Sequence, residues 1–150
     1  MMEIMRAWLA NSKLAGRLFA TLLFGAFVYL GVNGISDAAA ILINPLVSTA
    51  ILPISAEAAQ VRAGVLMAIN IVIVLGCMAT ILGVWQRTRL LYGWIVVTLM
   101  YVVLGGYQIA GALVQFRRPE FAITGLVFWV LAAVAYSFGR RVTEATIARP

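Results

Sequence analysis

Histidine is absent from this sequence, and cysteine occurs once, at Cys77. A single cysteine excludes a disulfide within the chain, and the lack of histidine excludes His-ligated haem and every His-based metal site. Cys77 lies between Gly76 and Met78 in an apolar run, which is typical of a small packing residue. The sequence also lacks a phosphate-binding loop, a Ser-His-Asp set, paired carboxylates and a cluster of metal ligands. We therefore predict no catalytic residue, no metal and no cofactor.

Charge is scarce as well. Charged residues make up 11% of the chain and hydrophobic residues 64%, whereas a soluble domain carries about 25% charged residues. The net charge of +6 comes largely from arginines that lie in pairs where the apolar runs end: Arg87 and Arg89, Arg117 and Arg118, Arg140 and Arg141. Such pairs are typical of helix ends that meet lipid headgroups, so we expect membrane lipids as partners and no nucleic acid.

Four long apolar runs predict an all-α integral membrane protein, a four-helix bundle that forms one domain. The predicted spans cover about residues 14–34, 55–85, 90–116 and 121–138. Ser55 suits the N-cap of the second span, with Glu57 in its first turn. The link at residues 117–120 is so short that the third and fourth helices must form an antiparallel hairpin. Residues 1–13 suit either a short interfacial helix or a frayed end.

A further apolar run, residues 38–52, is interrupted by Asn44-Pro45 and followed by Pro53. These 15 residues are too few to cross a hydrocarbon core of roughly 30 Å as a helix. The Asn-Pro step also disfavours a continuous helix. We therefore predict a short interfacial or re-entrant segment between the first and second helices.

The distribution of basic residues orients the molecule. With four spans and both termini in the cytoplasm, eight basic residues lie inside, and three lie outside, namely Arg62, Arg117 and Arg118. If residues 38–52 formed a fifth span, the count would be six against five. The four-span arrangement obeys the positive-inside rule better, and it places the start of the second helix on the outer side.

Small residues recur at a spacing of four in the predicted spans. Such pairs let helices approach closely, either within the bundle or against another subunit. The pairs are Gly64 with Ala68, Gly76 with Thr80, Gly106 with Ala110, and Ala135 with Gly139.

Polar side chains inside the spans are the usual indicators of function in a membrane protein. Arg62, Asn70 and Gln108 are such residues, and none of them is a charge near the middle of a helix. The lack of an ionisable residue at depth argues against a proton-coupled or ion-coupled transporter. Asn70 and Gln108 are most simply hydrogen-bond partners between helices.

A candidate contact site gathers on the outer side around Arg62. Gln108 lies one or two turns inside the third helix, and Tyr101 and Tyr107 are placed to wall the same space. Such a site suits an anionic or carbonyl-bearing headgroup, as in a lipid or a quinone whose tail lies between helices. The alternative is a solvated face on which Arg62 forms ordinary ion pairs. The candidate residues are Arg62, Gln108, Tyr107, Glu57, Asp37 and Asn70.

Three features resemble the DoxX-like superfamily of small four-helix bacterial membrane proteins. They are the Gly-rich first span at residues 25–34, the Asn44-Pro45 link, and a second helix that opens with a lone arginine followed by glycine, Val61-Arg62-Ala63-Gly64. The resemblance covers most of residues 14–140. It implies an accessory subunit in the bacterial inner membrane, near quinones, and it supplies no catalytic residue.

The leading functional prediction is a non-catalytic accessory or scaffold subunit of a membrane protein complex, in contact with lipid or quinone. Its expected partners are other membrane subunits or further copies of the same chain. The alternative is a small transporter or channel, which would need a water-filled path lined by Asn70 and Gln108. A quinone-linked redox enzyme is a third interpretation, although the chain lacks the usual ligands for a metal or haem.

Overall fold

The computed structural model describes residues 2–46, 54–115 and 122–147, with side chains from residue 14 onward except that of residue 115. Four long helices dominate this part of the chain: α1 (Met2–Ile43), α2 (Ala56–Gln86), α3 (Gly93–Ala110) and α4 (Ala122–Ile147). A 3₁₀ turn (Arg89–Tyr92) precedes α3, and a π-helical turn (Gly111–Gln115) extends it. Each of the four helical stretches is long and apolar enough to cross a membrane. The predicted all-α four-helix membrane bundle is confirmed.

Helix α1 is longer than the predicted first span. It runs without interruption from Met2 to Ile43, so residues 2–13 are its first turns and residues 38–43 are its last. Asp37 lies within two turns of the end of α1 and its side chain is exposed, so the carboxylate can be accommodated at the headgroup level. The helix ends at Asn44-Pro45, where proline cannot donate a backbone hydrogen bond, and the Asn44 amide donates to the Ala40 carbonyl over 2.9 Å.

The predicted interfacial or re-entrant segment is therefore shorter than expected. Its first six residues, 38–43, belong to α1, and residues 47–53 lie outside the described residues. The short link between the third and fourth helices lies outside them as well, because the description breaks between residues 115 and 122.

Helix α2 begins and ends with local capping interactions. Ser55 has extended backbone angles, φ −69° and ψ 158°, and its hydroxyl oxygen accepts a hydrogen bond from the Ala58 amide over 3.2 Å. That bond satisfies one of the amides that a helix start leaves without a partner. At the other end, Arg87 adopts the left-handed conformation with φ 54°, and its backbone N–H donates to the Gly83 carbonyl. The predicted N-cap is confirmed.

The bundle consists of two helix pairs. Helix α1 packs mainly against α2, α3 packs mainly against α4, and contacts between α2 and α3 join the two pairs. Gly83 allows α2 to approach the 3₁₀ turn closely, because a Cβ atom at this position would collide with the backbone amide of Leu91. The turn therefore lies directly against the last turns of α2.

Aromatic side chains fill the centre of the bundle. The ring of Phe27 contacts those of Phe24 and Tyr101, with centroids 5.9 and 5.5 Å apart, and Tyr101 stacks on Phe128 at 6.1 Å. Ile73 and Cys77 of α2 are fully buried beside them. Ring contacts of this kind contribute about 0.5–1.5 kcal/mol each beyond the area they bury.

The four small-residue pairs divide into two classes. Gly76 with Thr80 and Ala135 with Gly139 are buried, where Gly76 packs against Val97 and Gly139 packs against Trp94. The other two pairs lie away from the core: a Cβ atom on Gly64 or Gly106 would meet nothing within 4 Å, and Ala68 and Ala110 are exposed. Within the described part of the chain, only the first class serves contacts between its helices.

Candidate functional site

Arg62 lies near the start of α2, seven residues after the Ser55 cap, and its side chain is half-buried. With a rise of 1.5 Å per residue, it stands roughly 10 Å along the helix from that cap. A charged side chain in this position is close enough to the helix end to reach the headgroup region while its stem packs on apolar surface.

Two side chains of α3 hold the Arg62 guanidinium. Its Nη2 atom donates a short hydrogen bond to Oε1 of Gln108. Its central carbon lies 5.4 Å from the ring centroid of Tyr107, which is within cation–π range. Neither partner carries a charge at neutral pH, so these two contacts orient the guanidinium without placing a carboxylate against it.

Arg62 lines a pocket of about 320 Å³ between the start of α2 and Tyr107 of α3. Most of the lining comes from the first two turns of α2, and one residue comes from α3: Ser55, Glu57, Ala58, Val61, Arg62 and Tyr107. The pocket thus contains one cationic and one anionic side chain beside an aromatic ring. We refer to it below as the Arg62 pocket.

Glu57 and Arg62 lie at different depths in the Arg62 pocket. Glu57 is exposed in the first turn of α2, where the helix dipole favours an acidic side chain. Arg62 follows five residues later, which corresponds to about 7.5 Å along the helix axis. The carboxylate is therefore the outermost charge, and the guanidinium lies deeper.

The structure brings four of the six predicted site residues together, namely Arg62, Gln108, Tyr107 and Glu57. Asp37 is exposed on α1 and is not part of the pocket lining. Tyr101, expected as a second wall, is buried in the aromatic core against Phe27.

Asn70 also lies elsewhere, between α1 and α2. Its Nδ2 atom donates to the Leu66 carbonyl over 2.8 Å, and a Cβ atom on Gly34 would lie 2.7 Å from its Cγ. The side chain thus fills the space that a glycine leaves on the neighbouring helix. Asn70 was predicted to be a hydrogen-bond partner between helices. It does lie between α1 and α2, but the hydrogen bond described for its side chain closes on its own helix.

Sequence reasoning did not include Ser55, Ala58 and Val61 in the site. Helical spacing in the sequence could have indicated them. Ser55, Ala58 and Arg62 are spaced as i, i+3 and i+7, and Val61 follows Glu57 by four residues. Residues with this spacing share one face of a helix. For Ser55, the role of N-cap fully accounts for a serine at a helix start, so nothing further in the sequence indicated that it lines a pocket as well.

The opposite end of α2 has a different character. Trp85 donates its indole N–H to the Thr21 hydroxyl over 3.0 Å, and the Arg17 guanidinium lies 5.8 Å from the Trp85 ring centroid. Arg62 and Trp85 are 23 residues apart, which spans roughly 35 Å of helix. The two ends therefore suit the two faces of a bilayer whose core is about 30 Å thick.

Chemically, the Arg62 pocket can hold a polar group by charge and hydrogen bonding, and it has no arrangement that activates a nucleophile. The Ser55 hydroxyl oxygen accepts a hydrogen bond from the Ala58 amide as a helix cap, and no hydrogen bond from Ser55 to the Glu57 carboxylate is described. Comparison with known proteins gives no match, since no family model matches the chain and no curated protein or solved structure is significantly similar to it.

Proposed function

We propose that the chain is a non-catalytic accessory or scaffold subunit of a bacterial membrane protein complex. In this proposal the Arg62 pocket contacts the headgroup of a lipid or a quinone at the outer surface of the membrane. The DoxX-like resemblance agrees with such a role. The observation that carries the proposal is the pair of outward-facing small-residue surfaces on α2 and α3.

Those surfaces, Gly64 with Ala68 and Gly106 with Ala110, serve no described helix of this chain. Close approach of helix backbones is the main use of such pairs within lipid, where bulky side chains would hold two helices apart. Either surface would let a helix of another subunit approach the backbone of α2 or α3 closely. The buried pairs Gly76 with Thr80 and Ala135 with Gly139 illustrate the same use inside the bundle.

The alternative function, a small transporter or channel, receives less support. It needs a path lined by Asn70 and Gln108, but Asn70 lies against Gly34 of α1, while Gln108 contacts Arg62. The described centre of the bundle is filled by aromatic rings such as Phe27 and Tyr101. Close packing of these rings argues against a continuous water-filled path through the described centre of the bundle.

The proposed location is the bacterial inner membrane with both termini in the cytoplasm. This orientation puts the exposed arginines at the ends of α2 and α4 on the cytoplasmic side, as the positive-inside rule requires. They are Arg87, Arg89, Arg140 and Arg141. The Arg62 pocket then opens on the outer side.

Gentle extraction of the tagged protein from its own membranes, followed by native mass spectrometry, tests the proposal. Co-isolation of larger subunits in fixed stoichiometry is the expected result. A lone monomer, obtained under conditions that keep other membrane complexes intact, would contradict it.

A matched pair of variants locates the contact. Ala68→Leu fills one of the outward small-residue surfaces and should reduce co-isolation. Ala133→Leu makes the same change at an exposed position of α4 near the bulky Val130, and it should leave co-isolation unchanged.

A further inference from the structure

The Arg62 pocket contains charges of both signs, and this restricts the ligand. Arg62 and Glu57 line the same cavity of about 320 Å³. A ligand that carries only negative charge would gain from Arg62 and lose from Glu57, since like charges oppose each other in a site of reduced dielectric. A ligand that carries both charges uses both side chains.

The order of the two charges restricts the ligand further. Glu57 is exposed in the first turn of α2, and Arg62 lies about one and a half turns deeper. A bound molecule therefore meets the carboxylate at the aqueous side and the guanidinium nearer the hydrocarbon. A zwitterionic phospholipid has this order, with its ammonium group outermost and its phosphate between the ammonium and the glycerol.

Apolar surface continues from the pocket toward the centre of the membrane. Val61 lines the pocket with 65% of its surface exposed, and Val65, one turn deeper on the same face, is 39% exposed. Acyl chains attached to a headgroup in the pocket would lie along this face. Tyr107 closes the α3 side of the pocket and supplies an amphipathic ring at headgroup depth.

From these three observations we propose that the Arg62 pocket binds a zwitterionic phospholipid, with the phosphate at Arg62 and the ammonium at Glu57. The inference rests on the proposed function in one respect, namely that this pocket contacts a headgroup, and it selects the class of headgroup. A quinone would satisfy Arg62 through a carbonyl oxygen but would make no use of Glu57.

The test uses the purified full chain in nanodiscs that contain equal amounts of phosphatidylethanolamine and phosphatidylglycerol with identical acyl chains. Native mass spectrometry then identifies the lipids that the protein retains. We expect retention of phosphatidylethanolamine over phosphatidylglycerol by about fivefold, the factor that corresponds to one partly exposed charge pair.

Three variants assign the preference to the pocket. Glu57→Gln should bring the retention ratio to about one, because the ammonium loses its partner. Arg62→Gln should reduce retention of both lipids. Asp37→Asn removes the same charge as Glu57→Gln from an exposed α1 position outside the pocket lining, and it should leave the ratio unchanged.

Equal retention of the two lipids by the unaltered protein would overturn the proposal, and so would a preference that survives Glu57→Gln. The Glu57 side chain is exposed, so this variant remains decisive even if Arg62→Gln fails to fold. A quinone competitor separates the other headgroup considered above. Retention of a short-chain quinone by the unaltered and Glu57→Gln proteins alike would also overturn the proposal.

This experiment needs no partner subunit. If the headgroup preference fails while other subunits still co-isolate, the scaffold proposal stands and the ligand assignment is wrong. If the headgroup preference holds in a protein that isolates without other subunits, the ligand assignment stands and the scaffold proposal is wrong.

Discussion

Arg62 of α2 and Tyr107 of α3 are joined by a cation–π contact, with 5.4 Å between the guanidinium carbon and the ring centroid. This contact and the Gln108 hydrogen bond link the two helix pairs at the end of the bundle where α2 begins. At the end where α2 stops, the link is the packing of the 3₁₀ turn against Gly83. Each end can be tested by itself.

Tyr107→Leu should lower the free energy of unfolding by about 1 kcal/mol, because the cation–π contact is lost at a partly exposed site. Tyr107→Phe keeps the aromatic ring and should leave the free energy of unfolding nearly unchanged. The measurement is the thermal unfolding midpoint in a fixed detergent. Tyr29→Leu is the control, since Tyr29 is 67% exposed on α1; an equal loss there would mean that the Tyr107 contact adds nothing.

Gly34→Ala should destabilise the α1–α2 pair by about 1–2 kcal/mol, since the new methyl group overlaps the Asn70 side chain. Gly25→Ala is the matched control on the same helix, where a Cβ atom meets nothing within 4 Å. The double variant Gly34→Ala, Asn70→Ala should lose less stability than the sum of the single variants. Additive losses would show that the two residues are not coupled.

Thr143→Val should cost about 1 kcal/mol of stability, because it removes the acceptor of the Trp94 indole N–H. The Trp94 Nε1 to Thr143 Oγ1 distance is 2.9 Å, and both residues are buried. Thr146→Val is the comparison, since its hydroxyl donates to the Val142 carbonyl of its own helix. Equal stability of the Thr143 and Thr146 variants in detergent would count against this bond.

The proposed orientation predicts which side of the membrane each helix end reaches. Ile43→Cys, in a background where Cys77→Ala removes the buried native thiol, should react with an impermeant thiol reagent from the outer side. Ile147→Cys, at the end of α4, should react only after the cytoplasmic side is opened. Both isoleucines end their helices and are exposed, 86% and 59% respectively, so neither position is covered by the described part of the protein. The reverse pattern would invert the topology.

The sequence predicted the helices well, because a membrane span is specified by hydropathy over many residues and does not depend on which residue faces which neighbour. The approach of Arg62 to Gln108 also followed from an antiparallel α2 and α3. By contrast, the first span was predicted to end near residue 34, whereas α1 continues past Asp37 to Ile43. The charge is accommodated on an exposed helix face, and the proline at position 45 marks the actual end.

The sequence could not predict in the same way which residues of each helix face the core and which face lipid. A helix that is apolar on every side shows no periodic contrast between its lipid-facing and core-facing residues. Tyr101 was therefore assigned to the site although it packs in the core, and Asn70 was not paired with Gly34. The division of the small-residue pairs into buried and outward-facing classes was hidden for the same reason.

The two ends of the bundle differ mechanically. At Gly83 the joint is backbone against backbone, and such a contact cannot lengthen without breaking. At Arg62 the joint is made by long side chains that can change rotamer and still touch. We therefore expect the spacing of the two helix pairs to vary more beside the Arg62 pocket than at Gly83.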